Sequence, residues 1–541
     1  MREIENFFTV RWRELDISHH SSFIASMSNN IFKTKSISAL LAVAQEGGGL
    51  KRTLGAVNLI ALGIGAIIGA GLFVRTAAAA AQAAGPAVTL SFIVAAIGCA
   101  FAGLCYAEFA ASVPISGSAY AYAYVTMGEI VAWIIGWALI MEYALGAATV
   151  SIAWSEYLNK FLEAVAGTKI PPEWCHSPFE GGYINAPALF ILLILTLVLI
   201  RGTEESATLN SVLVGLKLAV VLIFIAVGWQ FINPAFHTPY MIPDPATVDM
   251  NNLPEHLKGF DFATHTGFFK HGYGGVIGGA AIVFFAFIGF DAVSTTAQEA
   301  KNPGRDMPIG ILGSLAVCTI LYILFGYVLT GVAPWTDFAD ATKGKEASVA
   351  YAISHYMTGY GWLATAVTCA ILAGFSSVIL VMLMGQSRVF YSMAKDGLVP
   401  AVFAELHPTH KTPFKSNWIV FAFVALFAGF IPGDVAGDLT SFGTLLAFVL
   451  VCIGILVMRV KMPDMKRPFA TPLPWVVAPL GAIICLGMIV ALDKVTLLSA
   501  LAWMAVGLVV YFVYGIHNSK LQKGTDTTLD PTDFLDKGAG H

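Results

Sequence analysis

Charge is scarce in this chain. Asp, Glu, Lys and Arg make up 12% of its 541 residues, about half the share found in soluble domains. Hydrophobic residues make up 57%, and the mean hydropathy is +0.74. A soluble globular protein is excluded. Cysteine is scarce as well: only Cys175 of the seven lies outside an apolar run. No disulfide framework is implied, and the other six read as small packing residues. No Asn-x-Ser/Thr sequon occurs, which favours a bacterial source. No G-x-x-x-x-G-K-[ST] phosphate loop occurs either, which argues against ATP-driven work by this chain alone. The histidines form no metal-ligand spacing, and nothing resembles a nucleophile–base pair. The chain does not read as an enzyme, and no metal, cofactor or nucleic-acid partner is implied.

What is present is a series of long apolar segments. A stretch of about 20 apolar residues spans a bilayer, and twelve candidates can be drawn. They run over 54–80, 86–112, 130–158, 186–200, 206–230 and 274–297, then 308–332, 361–393, 417–431, 438–459, 474–492 and 496–516. The fourth and ninth are short for a span. With the N-terminus inside, the outer segments hold only Lys160, Lys169, Lys258, Lys270, Lys343, Lys345 and Lys494. Arg75, Lys217 and Arg388 lie within spans, and the remaining Lys and Arg face inward. The excess of positive charge therefore predicts that both termini are cytoplasmic. The fold class expected is an all-α polytopic membrane protein. Its parts are a tail over 1–53, a membrane domain over 54–517 and a charged tail over 518–541. Met27 opens a second plausible start, and residues 1–26 read as a dispensable extension. The outer connection 231–273 carries five prolines and should be mostly irregular.

The segment Leu59–Val74, LIALGIGAIIGAGLFV, has glycines at 63, 65, 69 and 71. Each costs about 1 kcal/mol relative to Ala in a helix interior, so the first span should break at Gly65–Gly71. Val276–Thr295 holds a second interruption, at Phe285–Gly289. Broken membrane helices expose backbone groups that are tolerated only where they line a cavity or bind something. Two such breaks at matching places in two halves point to the substrate site of a secondary transporter. Spans one to five (54–230) and six to ten (274–459) each begin with a break. An odd number of spans per half inverts the second half, which gives a five-plus-five inverted repeat, with spans eleven and twelve outside it. At the first break, free N–H groups near Ala70–Gly71 suit a carboxylate and carbonyls near Ile68 suit an ammonium. The bland reading is helix packing through the Gly65/Gly69 pair.

Three charges lie deep within a span or beside a break. Asp291, beside the second break, is a functional candidate by default, the rival reading being a carboxylate paired with Lys or Arg near a helix end. Lys217 has long apolar runs on both sides, so snorkelling to an interface is strained. The alternative is that its ammonium takes the place of a sodium ion between spans one, five and eight and serves in proton coupling, since a desolvated ammonium can give up its proton. Glu142 pairs with Lys217, accepts from a buried Tyr or Trp, or lies by the pocket and favours a cationic side chain. Glu108 reads as structural or part of a gate. Phe285, Phe287 and Phe290 read mainly as packing groups, one of which can cap the substrate.

Five stretches together make the chain recognisable: GIGAIIGAGLFV, 105–129, 284–303, 385–400 and 439–469. It resembles the amino acid–polyamine–organocation superfamily, and within it the cationic amino acid transporter branch with its bacterial relatives, over about 50–517. The resemblance implies twelve helices in the leucine-transporter-like fold, with helices one and six interrupted. It implies a plasma-membrane permease for α-amino acids, neutral or cationic, working by alternating access. Carried over by position, Ile68, Gly69, Ala70 and Gly71, then Phe285, Ala286 and Ile288, match the family's substrate contacts. Lys217 matches the lysine at the sodium place, and Glu142 a third-span acid near the pocket. Asp291 and Phe287 remain gate or structural candidates. Relatives often carry Thr or Ser where this chain has Ala70. The expected partners are the amino acid, protons and membrane lipids. The chain is expected as a monomer or weak oligomer, and the family leaves room for a small membrane-protein subunit. The rival functions are a polyamine or amine exchanger and a transporter-like sensor.

Overall fold

The computed structural model describes residues 31–36, 52–69, 71–115, 117–247, 253–258, 260–339, 348–410, 412–490, 492 and 494–524. Residues 1–26 lie outside this set. Among the described residues the chain is helical and forms no strand; only an isolated bridge joins Leu54 to Ala300. Eight helical stretches are long and apolar enough to cross a membrane, and four shorter apolar helices accompany them.

In chain order, α1 spans Ala56–Ile67 and α2 covers 71–84, where π-helical turns flank a single α-turn. Next come α3 (Val88–Ser112), α4 (Ser118–Thr126) and the long α5 (Glu129–Ala166). Helices α6 (Ala186–Arg201), α7 (Thr203–Gly228) and α8 (Gly272–Phe284) follow. The second half holds α9 (Pro303–Val332), α10 (Ser348–Tyr356), α11 (Gly361–Lys395) and α12 (Phe414–Phe430). It ends with α13 (Gly433–Lys461), α14 (Pro474–Val490) and α15 (Lys494–Val510). Up to His271, after which α8 begins, the connection 231–273 contains only short 3-10 turns and irregular backbone among its described residues, as its prolines predict. Two short helices, α4 and α10, fall where the sequence suggests connections only. The third span extends to Ala166, beyond its apolar limit at 158, because good helix formers continue it.

The helices sort into two packed groups. Helix α9 packs against α1 and α3, and α3 packs in turn against α8; α5 packs against both α11 and α13, with α7 against α11. Helix α1 touches both groups, through α9 on one side and α7 and α11 on the other.

The two ends of the described chain meet on one face. The Lys33 Nζ donates to the Leu521 carbonyl at 3.1 Å. Lys35 pairs with Asp396 at 2.8 Å, and both side chains are buried. Asp396 also accepts from the Tyr120 hydroxyl at 2.7 Å. Glu129, at the start of α5, accepts from Tyr124, Tyr511, Ser519 and Gln522. These charges are affordable in the interior because each has a partner.

Candidate functional site

The first interrupted helix ends at Ile67, turns extended at Ile68 and restarts at Gly71. The second ends at Phe284, passes through the 3-10 turn Phe285–Phe287 and resumes as the 3-10 segment Asp291–Glu299. Between these pieces Gly289 takes φ +115°, a value that favours glycine. The two breaks face each other at van der Waals range. A Cβ on Gly71 would lie 2.7 Å from the Ala286 Cβ, and one on Gly289 would lie 2.8 Å from the Ala66 Cβ. Glycine at both positions is what lets the two backbones meet.

Ile68, Gly69 and Gly71 lie buried at the first break, and Ala286 and Ile288 are buried at the second. Ala70 lies outside the described residues. Phe285 keeps partial exposure, with the Arg75 guanidinium carbon 5.3 Å from its ring centre. Phe287 is turned into the core, against Phe92 and Tyr322.

Lys217 does not reach an interface. Its fully buried ammonium donates to the carbonyls of Gly65 (2.7 Å) and Ile68 (2.8 Å) and to the Ser377 hydroxyl (3.0 Å). Ser377, on α11, also donates to the Gly65 carbonyl at 2.9 Å. The lysine thereby ties α7 and α11 to the end of α1, supplying donors to backbone groups that the break strips of helical partners. Near the glycine break, the Ile67 carbonyl is served from another side, by the Tyr322 hydroxyl at 2.9 Å.

Glu142 and Asp291 are linked through Tyr143, the neighbour of Glu142 on α5, whose hydroxyl reaches Asp291. Asp291 has no cation partner among the described residues, which corrects the ion-pair reading. Its Oδ2 instead accepts from the Tyr143 hydroxyl at 2.8 Å. Among the described residues Glu142 pairs with neither Lys217 nor a Tyr or Trp. Its carboxylate is buried beside Gly443 of α13, with the Thr444 side chain close to it. The lysine is engaged at the first break, which is why that pairing does not form.

On the face where the chain ends meet, Arg388 of α11 grips Glu299 through Nε (2.9 Å) and Nη2 (2.6 Å), both side chains buried. This pair joins the end of the second broken helix to the α5–α11 group. Glu108 is held by Arg459 at 2.8 Å and by the backbone N–H of Thr471 at 2.7 Å. It pins the 462–471 connection to α3.

Sequence reasoning missed Tyr322, Ser377 and Tyr143. A tyrosine or serine in an apolar run carries no signal to distinguish it from ordinary packing. Only the folded arrangement shows that each reaches a break or its neighbouring acid.

Two broken apolar helices meeting beside a buried, hydrogen-bonded lysine form the centre of a polytopic helical assembly. The chain belongs to the amino acid permease family, whose sequence profile matches residues 54–513. It is 42% identical over 501 residues to the branched-chain amino acid permease BcaP of Bacillus subtilis (strain 168), covering 92% of this chain and 100% of that protein. It is 39% identical over 497 residues to the methylthioribose transporter of the same organism, with coverage of 92% and 100%. Against the cationic amino acid transporter 4 of Homo sapiens the identity is 34% over 439 residues, covering 80% of this chain and 63% of that one. The kinship lies with transporters, in line with the sequence reading.

Proposed function

We propose that this chain is a secondary active carrier of α-amino acids across the bacterial plasma membrane, proton-coupled and independent of sodium, with both termini cytoplasmic. In this reading the helices form twelve spans in a five-plus-five inverted repeat of the leucine-transporter type, with α1–α2 and α8 with its 3-10 continuation as the interrupted members. The group containing α1, α3, α8 and α9 rocks against the group built on α5, α7, α11 and α13, giving alternating access to a site at the breaks. The substrate carboxylate is received by N–H groups at Gly69, Ala70 and Gly71. Its ammonium is received by carbonyls around Ile68, Phe285, Ala286 and Ile288, a backbone cradle suited to a zwitterion.

The observation that carries the reading is the Lys217 ammonium, held by the Gly65 and Ile68 carbonyls and Ser377. Those oxygens would otherwise suit a bound monovalent cation, and a fixed ammonium fills their place and can exchange a proton. The Glu142–Asp291 pair lies by the pocket, and Arg388–Glu299 serves as an inner closure. A polyamine exchanger is less well supported, because its ligand lacks the carboxylate that the first break is arranged to receive.

The test is uptake of labelled L-leucine and L-arginine into proteoliposomes in sodium-free buffer, with and without an inward proton gradient. Gradient-driven uptake of either supports the reading, and the better substrate defines the pocket. Uptake that requires sodium refutes the coupling, and saturable binding without uptake favours a sensor.

A further inference from the structure

Tyr322, on α9, has no exposed surface. Its hydroxyl lies 2.9 Å from the Ile67 carbonyl and 2.8 Å from the Ala286 carbonyl. Ile67 is the last residue of α1, and Ala286 sits in the turn of the second break. One side chain from a continuous helix therefore touches both interrupted helices at their interruptions. The ring is wedged between Phe92 and Phe287, with centroids at 5.2 and 5.3 Å, and those two rings stand edge to face at 6.2 Å. The phenol oxygen is fixed by this packing.

A phenol has one hydrogen to donate, and here it faces two carbonyls. At any moment it satisfies only one of them, and each carbonyl oxygen keeps a second lone pair. On the other side of the break, Lys217 holds the Gly65 and Ile68 carbonyls. The two carbonyls that meet at Tyr322 come from different helices, and its hydroxyl is a donor that both share. A group with several N–H donors, such as an α-ammonium, matches the capacity that the single phenol hydrogen leaves over.

We propose that Tyr322 is a positioning residue for the substrate: it fixes the Ile67 and Ala286 carbonyls at a common point so that both receive the α-ammonium. This inference rests on the α-amino acid reading above. Its rival is that Tyr322 merely fills space, in which case phenylalanine serves as well.

The experiment takes the better of L-leucine and L-arginine and compares its binding with that of its des-amino analogue, 4-methylpentanoate or 5-guanidinopentanoate. Both ligands are measured on the same preparations of wild type and Tyr322→Phe, which keeps the ring packing and removes only the hydroxyl. Their affinity ratio is unaffected by the fraction of protein that is folded. Wild type should prefer the amino acid at least a hundredfold. In Tyr322→Phe that preference should shrink at least tenfold through weaker binding of the amino acid, with the analogue unchanged within twofold. A ratio unchanged within twofold, including equal weakening of both ligands, overturns the proposal and leaves the α-amino acid reading intact. Wild type that binds the analogue as well as the amino acid, or binds neither, overturns that reading itself.

Discussion

Lys217→Met is the most informative single change. The methionine approximates the length of the lysine stem but donates nothing. Of the three acceptors it deserts, the Gly65 carbonyl keeps Ser377 as a donor at 2.9 Å, and the Ser377 hydroxyl remains a donor in its own right. The Ile68 carbonyl loses its lysine bond, and a buried carbonyl left without a donor costs about 1–3 kcal/mol. Against this stands relief from burying an ammonium, which costs several kcal/mol before its partners offset it. The two effects largely cancel, so the melting temperature of the purified protein should move by only a few degrees. Transport should change far more. For each proton carried with each amino acid, a gradient of one pH unit is worth about 1.4 kcal/mol and supports about tenfold accumulation. Wild-type proteoliposomes should reach that ratio in sodium-free buffer. Lys217→Met, equally loaded and correctly folded, should equilibrate its substrate without accumulating it. Accumulation by the variant that still follows the pH gradient would refute the assignment of coupling to this lysine.

Other expectations follow from the same geometry. Gly71→Ala drives a Cβ into the Ala286 backbone and to 2.7 Å from its Cβ. Overpacking of this kind costs about 1–3 kcal/mol, and uptake should fall at least tenfold as the breaks are pushed apart; uptake within twofold of wild type would contradict the close approach. Glu299→Gln strands the Arg388 guanidinium in the interior, at a cost of about 3–5 kcal/mol. Thermal unfolding should show that loss, and adding Arg388→Met should recover at least half of it; no recovery would mean that the loss does not come from the stranded charge. Deleting residues 1–26 should leave membrane insertion and uptake unchanged, and loss of either would show that this segment is needed.

The breaks were legible because their cause is local. Gly63, Gly65, Gly69 and Gly71 cost helix stability wherever they fall, and Gly289 adopts a backbone angle that other residues resist. Lys217 was legible because a charge inside an apolar run is itself the anomaly. The identities of the partners were not. Whether Asp291 meets a cation or a tyrosine depends on how α5 lies against the second break, and no periodicity within either segment encodes that crossing. Tyr322 was hidden for the same reason, since TILYILFGY reads as a lipid or packing face until Ile67 and Ala286 are seen on either side of its hydroxyl. The short helix α4, SAYAYAYVT, escaped because it has neither the length of a span nor an amphipathic stripe.

The hydrogen bond between Lys33 and the Leu521 carbonyl bears on membrane topology through parity alone. Two points of one chain in direct contact outside the helices lie on the same side of any bilayer that the chain traverses. The number of crossings between residues 33 and 521 is therefore even, whatever the hydropathy of a given segment or the placement of its lysines and arginines. A helix of doubtful length, such as α6 or α12, can then be reclassified as non-spanning only together with a second one. A reporter fused near each end would give the same sidedness, and disagreement between the two would mean that the contact is broken in the membrane.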